Sequence, residues 1–406
     1  MELRKTDWWL IGQTVVAAGT GLWLWKPIRL LARPDDWQID TALAESDLPP
    51  VSIIVPARNE ATNIERCVVS LLAQDYPHFE IIAVDDGSQD ATPQILERLT
   101  TTEPGKRLRV LHLDSLPPGW AGKPHAMQAG SQAVETTSQW LLFTDADTVH
   151  QPQALRRAVT KAVTQDCDLF SILPTMELKS FWERVLMPLA MLGISLQYPA
   201  EQVNSPDSKL AIANGQFLLL RRTAYERVGG YGGKLKASLL DDRDMALAIK
   251  ASGGQICLCN GRELMAVRMY QNLGEIWRGW RKNAFVGSRS AYISVPFFVL
   301  AMLAGGVLPL LQLVYALLKL SRAKNRARWQ LWAGLSGLQL GLQTLTQYRI
   351  GGALAVPSRY SFTSPLAALI FSGILLDSMW RSISGRGVSW KGRNYAQAAR
   401  TQQLIK

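Results

Sequence analysis

Cysteine is scarce in this sequence. The chain of 406 residues has four cysteines, Cys67, Cys167, Cys257 and Cys259. No two of them have the CxxC spacing that is typical of zinc and redox sites, so the pattern predicts neither kind of site. Cys257 and Cys259 are two residues apart and would point to one face of a strand. We expect reduced cysteines with a structural role in a cytoplasmic domain.

A glycine-rich dinucleotide turn is also missing. The first apolar run of the central region, VSIIV at 51–55, continues as PARNEATN without a GxGxxG pattern. Those glycines allow the backbone to approach a pyrophosphate closely, so their absence argues against an ordinary nicotinamide or flavin site.

Charged residues are absent from several long stretches. Residues 8–25, WWLIGQTVVAAGTGLWLW, contain none over 18 positions, which is about the minimum for a membrane span. Later stretches that are nearly or wholly uncharged are 295–318, 329–348 and 363–376. The pattern predicts a multi-pass integral membrane protein, with an N-terminal anchor at 1–34 and two to three C-terminal membrane segments within 291–380.

Two other interpretations apply to these stretches. A cleaved signal peptide could explain the first, since Arg4 and Lys5 precede it. However, no small-residue cleavage site follows, and the next charged residues are Lys26, Arg29 and Arg33. Buried helices of a soluble protein are the alternative for the later stretches. Trp and Tyr at several of their margins favour membrane segments, because these side chains suit the membrane interface.

Acidic residues are absent from two basic segments. The loop 319–328 has five Lys and Arg residues and the basic tail 381–406 has six, which together equal the formal net charge of +11. Basic residues beside membrane segments favour the cytoplasmic face and anionic lipid, so we expect a lipid bilayer and no nucleic acid as partner.

The topology of the C-terminal region has two solutions. If 295–318 crosses the membrane once, the central region and the basic loop lie on opposite sides. A re-entrant hairpin broken at Gly305, Gly306 and Pro309 would keep both on one side. The sequence leaves both solutions open.

The central region alternates short β-branched runs with helical patterns. The predicted strands are 51–55, 80–84, 109–113, 140–144 and 169–173, and the predicted helices between them are 64–74, 92–99, 126–134 and 154–163. This order indicates an α/β domain with a mostly parallel sheet and helices on both faces. Ligands of such domains bind at the carboxyl ends of the strands.

Paired carboxylates follow one of these strands. In LLFTDADTVH, Asp145 and Asp147 come directly after the apolar run and would project from the same side of an extended chain. A hard divalent cation such as Mg²⁺ or Mn²⁺ would relieve their repulsion. The alternative is a polar strand end in which Asp147 caps a helix that Pro152 begins.

Two further segments could bind a nucleotide. Asp85 and Asp86 end the second strand, and with Ser88 they could hold a base and ribose, although Asp-Gly-Ser is also an ordinary turn. The alternative for Asp90 and Thr92 is a helix cap. In GWAGKPHAMQAG, Lys123 enters a helix start and could bind phosphate, although such a lysine is usually only solvated.

Taken in order, these segments resemble the family 2 glycosyltransferases, which are membrane-associated inverting enzymes. The likeness rests on VSIIVPARNE, AVDDGSQDAT, GWAGKPHAMQAG, FTDADT, IANGQFLLLRRTAYERVGGY and LLDDRDMALAIKASGG. It implies a GT-A nucleotide-diphospho-sugar transferase domain at 50–290, flanked by transmembrane helices. The segments GWAGK, NGQFLL and RMYQNLGEIWRGWRKNAF look most like the subgroup that glycosylates carotenoids, with hopanoid-associated transferases close behind.

The resemblance also implies roles for particular residues. The residues expected around the nucleotide sugar are Ala57, Asn59, Glu60, Asp85, Asp86, Lys123 and Asp145. Lys123 would approach the diphosphate, and Asp145 with Asp147 would form the metal-binding motif for Mg²⁺ or Mn²⁺. The family's Glu-Asp motif corresponds to Asp241-Asp242, where Asp replaces Glu at the first position. Asp242 is therefore the candidate catalytic base.

Three features bear on this assignment. Asp241, Asp242 and Asp244 would also suit the acidic first turn of a helix, DDRDMALAIKASGG. The QxxRW motif common in polymerising members is missing, so transfer of one sugar to a lipid is favoured over polysaccharide synthesis. The candidate acceptor residues are Asn214, Gln216, Tyr270, Trp277 and Trp280, although aromatic residues at a membrane surface would have the same pattern.

The sequence thus predicts transfer of one sugar from a nucleoside-diphosphate sugar to a membrane terpenoid hydroxyl, such as that of a carotenoid. Another lipid acceptor (a hopanoid, a polyprenyl phosphate or diacylglycerol) is the alternative among enzymes. A non-catalytic scaffold would be expected to have lost acids at the site, yet Asp86, Asp145, Asp147 and Asp242 are all present. A transporter is disfavoured because the apolar stretches are almost without charge.

Overall fold

The protein was examined as a computed structural model, which describes residues 4–32, 43–287, 291–323, 326–384, 386, 389–390 and 393–394. Its chain forms two compact units, each made of three separate segments. The sheet unit consists of Pro34–Glu177, Tyr198–Met269 and Ser389–Lys406. The helical unit consists of Met1–Arg33, Leu178–Gln197 and Tyr270–Val388.

The described residues include twelve strands. In chain order they are β1 Val51–Ala57, β2 Phe79–Asp85, β3 Leu108–His112, β4 Trp140–Phe143, β5 Thr148–His150, β6 Leu169–Leu173, β7 Thr175–Met176, β8 Leu218–Arg221, β9 Ile256–Asn260, β10 Met265–Val267, β11 Ser389–Trp390 and β12 Arg393–Asn394. Seven of them form one sheet in the order β3-β2-β1-β4-β8-β6-β9. Strand β8 runs antiparallel to β4 and β6, and the other pairs are parallel. The sheet is thus mixed, and four of its six strand pairs are parallel, in agreement with the prediction of a mostly parallel sheet.

Fourteen α-helices lie among the described residues. They are α1 Lys5–Ala32, α2 Ile64–Leu72, α3 Thr92–Thr100, α4 Gly122–Gln132, α5 Ala154–Thr164, α6 Phe181–Gln197, α7 Ala200–Asn204, α8 Arg222–Arg227, α9 Asp241–Ala251, α10 Leu273–Gly287, α11 Ala291–Met302, α12 Leu308–Leu320, α13 Arg326–Ala353 and α14 Ser364–Ile383. Short 3₁₀ segments are Glu45–Asp47, Pro104–Arg107 and Ser358–Thr363.

Helices cover both faces of the large sheet, as expected. Successive strand residues point to opposite faces, and in β1 Ile53 and Val55 belong to one apolar cluster while Ile54 belongs to another. The first cluster includes residues of α2, α3 and α5, and the second includes residues of α4 and α9. Both faces are buried, which explains why β1 and β2 read as continuous apolar runs.

The cysteine prediction is wrong for one pair. Cys167 and Cys257 form a disulfide, with their Cα atoms 6.2 Å apart. Cys257 lies in β9 and Cys167 comes just before the neighbouring strand β6, so sheet pairing brings them together across 90 positions. The pairing has no local sequence signal. Cys257 and Cys259 do face the same apolar cluster, as expected for residues two apart in a strand.

In the helical unit, two described segments are long and apolar enough to cross a membrane. They are Val295–Leu320 and Ser358–Ile383, judged by length and composition alone. Among the described residues, neither helix α13, which contains the predicted stretch 329–348, nor helix α1, which contains the predicted stretch 8–25, passes that test. Arg33 and the side chains of Lys26 and Arg29 lie outside the described residues, as do Lys324 and most of the basic tail.

The re-entrant hairpin is not found. Between α11 and α12 the residues Leu303–Val307, which include Gly305 and Gly306, form a π-helical turn with helical backbone on both sides. The segment therefore continues as one helical path. Arg328, counted above with the basic loop, has its Nε 2.9 Å from Oδ1 of Asp7, a carboxylate that is buried at the start of α1.

Candidate functional site

Several predicted site residues meet at the carboxyl ends of the parallel strands. Ala57 and Asp85 are neighbours in register at the ends of β1 and β2. The backbone N–H of Asp86 donates to the carbonyl of Ala57 at 2.9 Å. Asp145 follows β4, which pairs with β1 on its other side. This is the edge at which ligands of such sheets bind.

Lys123 connects two of the acidic segments. It is the second residue of α4, and its Nζ lies 2.7 Å from Oδ1 of Asp145 and 3.4 Å from Oδ2 of Asp241. Partial burial disfavours the charged form of Lys123 and by itself would lower its pKa. The carboxylates of Asp145, Asp241 and Asp242 outweigh that effect, so the pKa of Lys123 lies above its usual value. Lys123 is therefore a permanent cation in a group of acids.

Asp242 is held by backbone N–H groups at the start of α9. Gly215 N–H donates to Oδ2 at 3.0 Å, and Arg243 N–H donates to Oδ1 at 2.7 Å. Loss of hydration and the nearby charge of Asp241 raise the pKa of Asp242 above the ordinary aspartate value, although Lys123 and the two N–H groups act in the opposite direction. A carboxylate with a raised pKa is a better proton acceptor.

The acids of α9 do occupy its first turn, as the simple helix interpretation requires. Two of them nevertheless differ in surroundings. Asp244 accepts the Ser238 hydroxyl at 2.6 Å and the Arg243 guanidinium at 2.7 Å. Asp242 instead contacts the Gly215 loop and adjoins Lys123, so the helix start also contributes a carboxylate to the strand-end site.

The capping interpretation of Asp147 is wrong. Its neighbour Thr148 begins β5, and helix α5 starts only at Ala154. The backbone carbonyl of Asp147 accepts Nη2 of Arg66 at 3.2 Å, and the hydroxyl of Thr148 donates to the carbonyl of Asp145 at 2.8 Å. These contacts fix the turn that carries both carboxylates.

The donor set suits a metal that shares its ligands with a substrate. Among the described residues no group of three or more His, Cys, Asp or Glu side chains is placed to hold an ion. An ion at Asp145 and Asp147 would thus take two carboxylates from this chain and its remaining ligands from phosphate and water. That is the usual mode of binding for Mg²⁺ with phosphate substrates.

Asn59 and Glu60 stabilise the loop after β1 through hydrogen bonds to the segment after β2. Asn59 has a left-handed φ of 54°, its N–H donates to the Ser88 hydroxyl at 2.9 Å, and its Oδ1 accepts the N–H of Gln89 at 2.8 Å. The N–H of Glu60 donates to the Thr92 hydroxyl at 2.8 Å. These bonds connect the turns after β1 and β2.

The turn interpretation holds for Asp85, which accepts the N–H of Ser88 at 3.1 Å. The cap interpretation of Asp90 and Thr92 is wrong, because the N-cap of α3 is Ala91 and Thr92 is its first helical residue. Asp90 accepts the N–H of Thr92 at 3.0 Å from the position before the cap.

Arg393 is a residue of this site that the sequence did not indicate. Its guanidinium binds the carboxylate of Asp86, with Nη2 3.1 Å from Oδ1 and Nη1 in contact with Oδ2. The two residues are 307 positions apart. From the sequence, Arg393 belongs to the basic tail that is expected to contact lipid, since nothing near it in the sequence suggests an acidic partner.

The five candidate acceptor residues are divided between the two units. Asn214 donates to the carbonyl of Ile172 at 2.9 Å and to Oε1 of Gln216 at 3.2 Å, so these two side chains bind each other in the sheet unit. The other three belong to the helical unit.

Each of those three packs within the helical unit. Tyr270 packs against Gly279, Trp277 donates to Oδ2 of Asp377 at 2.8 Å, and Trp280 packs against Phe371 with ring centres 5.7 Å apart. These contacts stabilise helix packing.

A buried histidine beneath the Asp145 turn makes the site sensitive to acid. His150 is 4% exposed, and its Nε2 lies 3.1 Å from the hydroxyls of Thr144 and Thr148. Burial lowers the pKa of His150 to about 3. An unfolded histidine titrates near about 6.5, so below that pH the unfolded state binds more protons, and stability falls as the pH drops towards 3.

We therefore expect the free energy of unfolding to fall by about 2 kcal/mol between pH 6.5 and pH 5 through His150 alone. Denaturant titrations of wild type and His150→Asn at both pH values measure this contribution, and the variant should lose that part of the pH dependence. His78→Asn, at an exposed histidine, is the matched control. Equal pH dependence in wild type and His150→Asn would contradict the assignment.

One region, most of which lies in the sheet unit, matches a known family model. Residues 52–229 match the model described as Glycosyl transferase family 2. The chain is 33% identical over 126 residues to Glycosyltransferase AglE of Haloferax volcanii, a match that covers 30% of this chain and 39% of that protein. It is 23% identical over 366 residues to 4,4'-diaponeurosporenoate glycosyltransferase of Staphylococcus aureus, which covers 88% of this chain and 92% of that protein.

A solved structure is similar over nearly the whole chain. The mannosyltransferase PcManGT from Pyrobaculum calidifontis, in complex with GDP-Man and Mn²⁺, aligns with a TM-score of 0.50 and 20% identity, over 98% of each chain. At this identity the likeness concerns the fold, and it confirms the predicted α/β class.

Proposed function

We propose, from the match of residues 52–229 to the family 2 glycosyltransferase model, that the protein is an inverting, metal-dependent transferase of one sugar from a nucleoside diphosphate to a membrane terpenoid. The observation that supports this best is the connected group of charges at the strand ends. Asp242 adjoins Lys123, and Lys123 binds Asp145 beside the proposed metal position.

Single displacement uses these residues in the following way. The acceptor hydroxyl attacks the anomeric carbon while the bond from that carbon to the diphosphate oxygen breaks. The hydroxyl proton passes to the carboxylate of Asp242, whose raised pKa suits this role. Attack on the face opposite the leaving group inverts the anomeric configuration.

The leaving diphosphate carries away the electron pair of the broken bond and gains negative charge. Lys123 is placed at a helix start and stays cationic, so it can bind that charge. Asp145 and Asp147 would hold Mg²⁺ or Mn²⁺, which when bound supplies Lewis-acid stabilisation of the departing diphosphate. The nucleoside would lie against Asp85 and Asp86 at the end of β2.

Two observations support a membrane lipid as acceptor. The helical unit exposes large apolar side chains on its two candidate membrane segments, among them Phe297 at 67%, Leu300 at 67% and Leu318 at 64%. Such surfaces are expected where a protein contacts lipid. The relative that matches most of the chain is named for a carotenoid acid, which favours a carotenoid among membrane terpenoids.

The proposal is tested with membranes that contain the protein, supplied with uridine, guanosine and thymidine diphosphate sugars, Mn²⁺ or Mg²⁺, and a carotenoid extract. We expect a glycosylated carotenoid by mass spectrometry, and none from matched membranes with Asp242→Asn. Sugar on a hopanoid or polar lipid instead would show that the acceptor class is wrong. A lack of transfer to every acceptor would favour the scaffold interpretation.

A further inference from the structure

The C-terminal hairpin brings a cation into the sheet unit. Strands β11 and β12 pair antiparallel, with Trp390 opposite Arg393. From β12 the guanidinium of Arg393 binds both carboxylate oxygens of Asp86 in a fork. The side chains of Arg393 and Asp86 are only 18% and 6% exposed, so most of the pair is removed from water. A forked pair of this kind is geometrically specific and stronger than a neutral hydrogen bond.

A glycine makes room for this pair. Gly122 is the first residue of α4, and a Cβ at that position would collide with Nη1 of Arg393 and lie 2.8 Å from Oδ2 of Asp86. The next residue is Lys123, the proposed diphosphate ligand. The guanidinium therefore spans from the nucleoside side of the site, at Asp86, to the start of α4 on the diphosphate side.

The role of Arg393 follows from the carboxylates that surround its guanidinium. Six carboxylates lie at or beside the strand ends, those of Asp85, Asp86, Asp145, Asp147, Asp241 and Asp242. Lys123 is already shared between Asp145 and Asp241. A nucleoside diphosphate adds further negative charge. Without Arg393 the carboxylate of Asp86 would lose its forked partner and keep Arg58, whose guanidinium donates to the backbone carbonyl of Asp86, as the neighbouring cation.

We propose that Arg393 is a donor-binding residue, whose positive charge neutralises Asp86 and allows a nucleoside diphosphate to bind beside it. This inference rests on the function proposed above and adds to it a residue from the far end of the chain. Displacement of Arg393 by the donor would leave Asp86 charged and buried without its partner, which is strongly unfavourable. The pair therefore persists when the donor binds, and Arg393 forms one wall of the donor site.

The test compares Arg393→Gln, Arg393→Lys and the matched control Arg386→Gln in the full-length protein. Arg386 is an exposed residue of the same basic segment. Calorimetry with Mn²⁺ gives the Kd for uridine diphosphate and guanosine diphosphate, and initial rates give the KM for the donor and kcat. Thermal unfolding of each variant checks the fold.

We expect Arg393→Gln to raise the Kd of the diphosphate and the donor KM roughly ten- to hundredfold, with a smaller change in kcat. Arg393→Lys keeps the charge but loses the fork to both oxygens of Asp86, so its Kd should lie between those of wild type and Arg393→Gln. Arg386→Gln should stay within about threefold of wild type. Unchanged or tighter binding in Arg393→Gln would overturn the inference. An equal rise in the Kd of the diphosphate in Arg393→Lys and Arg393→Gln would show that the positive charge of Arg393 is not what supports donor binding.

The wild type separates this inference from the proposed function. If wild type binds neither diphosphate and transfers no sugar, the function itself is contradicted. If wild type binds a diphosphate and transfers sugar, and Arg393→Gln has the same Kd and KM as Arg386→Gln, only the role proposed for Arg393 is contradicted.

Discussion

Asp242→Asn is expected to lower the rate of sugar transfer by roughly 10²- to 10⁴-fold, because an amide cannot accept the proton of the attacking hydroxyl. The fold should persist, since the amide oxygen can still accept one of the two N–H groups that now bind the carboxylate, those of Gly215 and Arg243. Initial rates at saturating donor measure the effect, together with circular dichroism of the purified variant.

A neighbouring acid provides the matched control for this prediction. Asp244→Asn makes the same chemical change in the same helical turn, but Asp244 binds Ser238 and Arg243 instead of the Gly215 loop. Asp244→Asn should lower the free energy of unfolding and leave most of the rate of sugar transfer. Equal losses of turnover in the two variants would show that the acids act together as a helix start, and that Asp242 is not the base.

Asp147→Asn should have the second large effect. Removal of one of two carboxylates would weaken binding of the proposed ion, for which this chain would supply few ligands. We expect the Mn²⁺ concentration for half-maximal rate to rise by at least roughly a hundredfold. The rate at saturating Mn²⁺ should fall roughly a hundredfold, because the departing diphosphate is less well stabilised. Initial rates over a titration of Mn²⁺, after treatment with a chelator, measure both quantities.

Asp207→Asn is the control for metal dependence, since Asp207 is an exposed carboxylate of the same unit. It should leave the Mn²⁺ titration unchanged. Transfer that survives chelation in wild type would contradict the metal assignment, while leaving Asp242 and Lys123 in their proposed roles.

The sequence alone predicts the position of site residues that directly follow a strand. Asp85 and Asp145 follow apolar runs, and parallel strands put their carboxyl ends at one edge, so their nearness follows from the order of elements alone. The acidic residues Asp241, Asp242 and Asp244 predict the start of α9. The contact of Asp242 with Gly215 depends on β8, whose antiparallel direction has no distinct periodicity in FLLLR.

Contacts between distant segments could not be predicted. The pair of Arg393 and Asp86 joins residues 307 positions apart, and the disulfide of Cys167 and Cys257 depends on which strands become neighbours. Such contacts follow from topology, for which a single sequence carries no local pattern. The acceptor prediction for Trp277 relied on residue type, which does not distinguish a binding surface from helix packing.

The division of both units into separate segments has a consequence for biosynthesis. The ribosome completes neither unit before it starts the other, and the last segment of the sheet unit, Ser389–Lys406, emerges after every helix of the helical unit. Asp86 is made long before Arg393, which follows it by 307 positions. A nascent chain stalled before residue 389 would thus lack the partner of Asp86, and the sheet unit would complete its fold only after the helical unit has been synthesised.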